Sequence, residues 1–135
     1  MLFPNGPKGF ALAEDPLLQS LDRNASCAGV LFADLDNDGD LDLVVANYVS
    51  SKDHPGSRLF ENRDVTPKEG AWPGPMGTRN VSAVDLNGDG LLDLVVADGT
   101  YGRKAKTEAR LIVLENQGRF RFTDTTHNLS GRGGI

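Results

Sequence analysis

Two short segments hold the residues with the clearest capacity for chemistry. Asp34, Asp36, Asp38, Gly39 and Asp42 spell D-x-D-x-D-G-x-x-D, and Asp85, Asn87, Asp89, Gly90 and Asp93 spell D-x-N-x-D-G-x-x-D. Alternate spacing curls several side-chain oxygens toward one centre. The glycine at position six permits a sharp turn, and the residue at position seven, Asp40 or Leu91, can offer its backbone carbonyl. All the donors are hard oxygens with no His or Cys beside them, which suits Ca²⁺ over zinc or copper. Mg²⁺ ranks second, because it demands stricter octahedral geometry and retains water.

Charge distribution points the same way. The formal net charge is −5, yet residues 34–42 hold five Asp and residues 85–93 hold three, so eight of the nineteen acids lie in these two segments. The remainder has 14 basic against 11 acidic residues and is weakly cationic. Like charges a few ångströms apart repel by roughly 1 kcal/mol per pair even in water, so such crowding calls for a neutralising cation. The first half of the pattern is shared with the EF-hand, but position twelve, where an EF-hand needs a bidentate Glu, is Val45 or Val96. The segment that follows also reads as strand rather than helix. An Asp at position nine can supply the missing ligand. The alternative is an Asp/Asn/Gly-rich hairpin tip that holds no ion; duplication of the whole pattern weighs against it.

The elements that must position these loops emerge from an internal repeat. DLDNDGDLDLVVA at 34–46 and DLNGDGLLDLVVA at 85–97 agree at ten of thirteen positions, with an offset of 51. Downstream, Phe60-Glu61-Asn62 is echoed by Leu114-Glu115-Asn116 at an offset of 54. A fainter echo sets residues 5–11 against 116–121, as though the chain opens in the last strand of an earlier unit. Residues 41–46 and 92–97 are short, β-branched and almost continuously apolar, as expected of central strands covered on both faces. Apolar runs at 29–33 and 81–84 precede the loops, so each loop is the acidic tip of a hairpin. Residues 58–62 and 109–115 supply third strands, and 119–124, with alternating Phe120 and Phe122, an outer fourth. The first unit's fourth strand is doubtful, since residues 64–77 carry three Pro and three Gly around Trp72, and Pro cannot donate to a ladder. The one helix candidate is 16–21.

Four strands per unit and a period near 50 predict an all-β fold of two four-stranded β-propeller blades. The units run 29–78 and 79–135, behind residues 1–28 as the end of a preceding repeat and linker. Two blades do not close a ring, which takes about four to eight, so a segment of a larger propeller, an assembly of several copies, or an open pair remain, the first being favoured. No apolar run approaches the roughly 20 residues of a membrane helix, and residues 1–6 lack the charged and apolar regions of a signal peptide. Cys27 is the one cysteine, so neither an intrachain disulfide nor a cysteine-rich zinc site can form.

At these residues the chain resembles the FG-GAP/VCBS repeat family, the Ca²⁺-binding blades of integrin α-type propellers and of many bacterial secreted or surface proteins. The resemblance covers about 29–62 and 79–126. It implies two Ca²⁺ sites, with Asp34, Asp36, Asp38, Asp40 and Asp42 as ligands in one and Asp85, Asn87, Asp89, Leu91 and Asp93 in the other, position seven acting through its carbonyl. The Phe-Gly before the loop and the Gly-Ala-Pro after the strand are absent, Ala46-Asn47 and Ala97-Asp98 standing in the second place; that favours the bacterial branch. The resemblance implies a structural and interaction platform in a secreted, periplasmic or cell-surface adhesion or interaction protein. Its partners would be a protein or carbohydrate ligand, together with further blades or homo-oligomer copies. The competing readings are the propeller portion of a secreted polysaccharide-acting enzyme and a self-associating module.

No catalytic constellation accompanies the loops. His54 and His127 have no partner at a diagnostic spacing and read as loop histidines, so an enzyme is not expected. The basic run at 103–106 reads as a solvated hairpin tip. Nucleic-acid binding draws little support from an acidic chain, and membrane insertion none. Trp72 is expected to pack under its own loop rather than stack on a ligand. Sequons at Asn24, Asn80 and Asn128 carry no weight by themselves.

Overall fold

The computed structural model describes residues 5–6, 9–10, 26–48, 56–62, 68–73, 77–98 and 111–126. Every regular element among them is a strand. β1 (Asn5–Gly6) and β2 (Gly9–Phe10) form a short hairpin, and two four-stranded antiparallel sheets follow. The first runs β3 (Cys27–Ala33), β4 (Asp42–Asn47), β5 (Arg58–Glu61), β6 (Lys68–Gly70) in spatial as in chain order. The second does the same with β7 (Thr78–Val84), β8 (Asp93–Asp98), β9 (Leu111–Asn116) and β10 (Phe122–Asp124). Two consecutive four-stranded meanders are the units expected of propeller blades.

The repeat is as exact in register as in sequence. Ala33 pairs with Asp42 and Val84 with Asp93, so each acidic loop closes a hairpin of the same length. Both first strands carry an irregularity at the same place, between Cys27 and Gly29 and between Thr78 and Asn80. Such a bulge adds a residue and re-aims its side chain. In the second unit that residue is Arg79, whose guanidinium lies 4.7 Å over the Tyr48 ring and donates to its hydroxyl at 3.1 Å, tying one unit to the other.

The core is the seam between the sheets. Strands β3 and β4 pack against β7. Ala33, Leu35, Val44, Ala46 and Leu59 of the first unit meet Val81, Leu94, Val96 and Leu114 of the second, with Trp72, Phe120 and Phe122 partly buried around them. Strand β4 is buried along its whole length, as its unbroken apolar run requires. Each Leu or Val buried there contributes about 1.5–3 kcal/mol, whereas the half-exposed Arg58–Glu69 pair at 2.7 Å contributes at most about 1 kcal/mol. Packing of sheet on sheet therefore dominates. Trp72 packs against that core, whereas the expectation placed it under its own loop.

Two expectations need correction. The first unit does have a fourth strand: β6 pairs Leu59 with Gly70 and Glu61 with Lys68. It occupies only the three residues between Pro67 and Ala71, so the prolines flank the ladder instead of interrupting it. Arg58 donates to both Glu69 carboxylate oxygens across that edge, and these bonds hold the Glu69 carboxyl below its ordinary range. Conversely, the outer strand of the second unit starts at Phe122. Gly118, Arg119 and Phe120 all have positive φ and form a turn, so Phe120 does not alternate with Phe122 along a strand. The Phe120 ring lies against Gly70, at a position where any Cβ would come within 2.9 Å of it. The early hairpin pairs Asn5 with Phe10 as Asn116 pairs with Phe122, so the ladder aligns Phe10 with Phe122 rather than with Phe120. His54, His127, the 103–106 run and the 16–21 helix candidate lie outside the described residues.

Candidate metal centre

Each acidic loop is organised by its own first carboxylate. Asp34 accepts from the backbone N–H groups of Asp38 (3.2 Å) and Gly39 (3.1 Å). Asp85 accepts from those of Gly88 (2.7 Å), Asp89 (3.2 Å) and Gly90 (3.0 Å). Asp side chains are suited to bonding backbone a few residues on. The tight path demands left-handed backbone at positions four and six: Asn37 and Gly39 in the first loop, Gly88 and Gly90 in the second. Glycine meets this at no steric cost, and Asn is among the few other residues that tolerate it. Position five then braces position seven, Asp38 accepting from the Asp40 N–H at 2.9 Å and Asp89 from the Leu91 N–H at 2.8 Å.

The ninth-position aspartates serve as struts. Asp42, fully buried at the start of β4, accepts from the N–H of Leu35 and from the N–H of Asn62, both at 2.8 Å. Asp93 repeats the arrangement with Leu86 (3.0 Å) and Asn116 (2.8 Å). One carboxylate thus ties the loop's entry to the end of the third strand.

The two loops differ in how their oxygens gather. Carboxylate oxygens of Asp34, Asp36 and Asp42 lie within 4.8 Å of one another. Oxygens bound to one Ca²⁺ at about 2.3–2.6 Å are at most about 5 Å apart, so this spacing fits a shared ion. Asp36 Oδ1 is buried and has no hydrogen-bond partner, a state that costs about 1–3 kcal/mol unless something meets it. Burial, then repulsion from Asp38, with Glu61 and Asp34 adding, raises the Asp36 carboxyl above its ordinary value. Burial pushes Asp42 up to about 6, against the two backbone donors that favour its charge. The donor set and the orphaned oxygen fit a hard divalent cation. Asp38 and Asp40 are exposed and stand outside the gathered group.

In the second loop Asp85, Asp89 and Asp93 do not form such a group among the described residues. The Asn87 amide instead donates to Asp89 Oδ2 at 2.9 Å, and Asn87 Oδ1 accepts from the Asp89 N–H. That amide satisfies a carboxylate with a neutral donor, where the first loop has Asp36 and an unmet oxygen. Leu91 is half-buried, its N–H engaged with Asp89.

Two groups escaped the reading from sequence. Glu61, buried at the end of β5, adds its charge to the first loop. Asn116 does more: its buried amide donates to the backbone carbonyl of Leu35 in the first unit at 2.7 Å and to that of Leu92 in its own at 3.0 Å. Asn37 returns the favour between loops, donating to the Gly90 carbonyl at 3.0 Å. The echo around residues 60–62 and 114–116 was the available signal, although it could not say what the asparagine grips.

Residues 77–109 match the model of the FG-GAP repeat, a segment that spans β7, the second acidic loop and β8. No curated protein and no solved structure matches the chain. Among the described residues no helix is long and apolar enough to cross a membrane.

Proposed function

We propose that this chain, with its FG-GAP repeat, is a Ca²⁺-stabilised segment of a β-propeller, a non-enzymatic interaction platform in a secreted or cell-surface protein of the bacterial VCBS type. The observation that carries the cation is the approach of the Asp34, Asp36 and Asp42 carboxylates to within 4.8 Å of one another. The Asp38 side chain and the backbone carbonyl of Asp40 complete the oxygen set around that ion. The second loop, through Asp85, Asn87, Asp89, Leu91 and Asp93, binds a second ion more weakly, since its amide must turn to present oxygen. The ion pins the hairpin tip to the end of the third strand, and leaves the rim between loops as the surface presented to a protein or carbohydrate ligand. If these loops bind Ca²⁺ in the range of about 10⁻⁴ to 10⁻³ M found for extracellular modules, a copy bathed in submicromolar Ca²⁺ would be largely empty.

Thermal unfolding across a Ca²⁺ titration, with chelator as baseline and Mg²⁺ as control, tests the reading. A Ca²⁺-selective rise in Tm that climbs as RT ln(1 + [L]/Kd) is expected. A flat response from a folded chain would leave two acidic hairpin tips and remove the basis for the platform.

A further inference from the structure

The internal repeat allows each residue at the seam to be compared with its counterpart 51 positions away, and the comparison exposes two unfilled halves of the same joint. On the face of the second unit that packs against the first, Val81 is 6% exposed, and Ala83 and Leu92 pack against the shared core. Their counterparts in the first unit, Val30, Phe32 and Leu41, are 60%, 53% and 58% exposed. On the other side of the joint Leu35 is 0% exposed, whereas its counterpart Leu86 is 51% exposed, with Val84 exposed beside it. Asn116, which locks the joint through the Leu35 carbonyl, has its counterpart in Asn62, which is exposed. One end of the pair therefore presents a socket and the other the plug that fits it.

From this we infer that the chain binds a second copy of itself head to tail, the Val84 and Leu86 face of one copy seating on the Val30, Phe32 and Leu41 face of the next, with the Asn62 amide donating to the Leu86 carbonyl. The seam between the two units is the template, because it already joins these same two surfaces. A plug and a socket at different places on one molecule make a heterologous contact, which closes into a ring when the rotation allows. Such a ring takes about four to eight blades, of which the described residues of each copy supply two. The joint between copies is weaker than the internal one. Gly88 stands where Asn37 stands, so the loop-to-loop bond to the Gly90-type carbonyl is lost, and Ala28 replaces Arg79, so no guanidinium bridges the bulge. Association is accordingly concentration-dependent, and it does not require a bound cation.

Sedimentation of the whole chain from low to high micromolar concentration tests this, paired with two variants. Phe32→Asp spoils the socket and Leu86→Asp the plug; both positions are exposed, and circular dichroism checks that each variant folds. The expected result is a mass rising to a multiple of the monomer for the unmodified chain, monomers for each variant alone, and a dimer that grows no further when the two are mixed. Recovery on mixing is the signature of a heterologous joint, and two misfolded chains would not produce it. Val30→Asp with Val84→Asp repeats the pair should either of the first fail to fold. A monomer at all concentrations, a variant that still assembles alone, or a mixture that stays monomeric overturns the inference.

Discussion

Replacing Asn116 by alanine removes three hydrogen bonds at once. The Leu35 carbonyl loses its donor at 2.7 Å, the Leu92 carbonyl its donor at 3.0 Å, and the Gly118 N–H its acceptor at 2.9 Å. A buried polar group left unmet costs about 1–3 kcal/mol. Leu35 is completely buried and no water can replace the amide there, so its carbonyl bears the full cost; Leu92 and Gly118 are half-buried and bear less. The expected loss is about 3–4 kcal/mol, a large share of the roughly 5–15 kcal/mol that holds a domain together. Urea unfolding at dilute concentration measures it, and with a slope of about 2 kcal/mol per M the midpoint should fall by about 1.5–2 M. The internal control is Asn62→Ala. Its backbone N–H still donates to Asp42 and its side chain is exposed, so it should cost less than about 0.5 kcal/mol. Equal losses at the two positions, or less than about 1 kcal/mol at Asn116, would refute the claim that this amide locks the seam.

Other outcomes follow from the same geometry. Asp42 binds its proton more tightly folded than unfolded, so in chelator its contribution to stability falls as pH rises from about 4 through about 6, by up to about 3 kcal/mol. Asp42→Asn should abolish that slope in a pH series of urea melts, and parallel slopes would contradict the assignment. Cation affinity should run the other way, rising with pH as the carboxyl sheds its proton. Gly70→Ala brings a methyl to within 2.9 Å of the Phe120 ring and should lower stability by about 1–3 kcal/mol; an unchanged Tm would mean the ring moves freely. Asp38→Ala should cost more of the Ca²⁺-linked rise in Tm than Asp89→Ala, because the first loop offers four side-chain carboxylates in the ligand positions against three. A reversed order would contradict the ranking of the sites.

Much of this architecture is legible in local pattern. Strands β4 and β8 announce themselves as apolar runs, β4 with both faces covered and β8 with Val95 and Ala97 left half-buried, and the loops because a tight oxygen-lined turn tolerates only a few residue types at positions one, four, six and nine. Strand β6 is hidden because three residues are too short for any periodicity, and it is held by a neighbour's register and the Arg58–Glu69 pair. The turn at 118–120 misleads for the opposite reason: Phe120 and Phe122 have strand spacing, but Phe120 takes left-handed backbone in a turn and lays its ring on Gly70 of the other sheet, a contact between distant residues that no local pattern shows.

The amino-acid sequence alone determined the repeat, the hairpins and the donor chemistry of the loops, since each depends on residues within a few positions of one another. Tertiary structure decided which of two near-identical loops gathers its carboxylates, and that Asn116 reaches across 81 residues to the Leu35 carbonyl. It also decided that Leu35 is buried while Leu86, in the same place in the same motif, is exposed. Burial is a property of what lies alongside, and two identical segments differ in it as soon as only one has a neighbour.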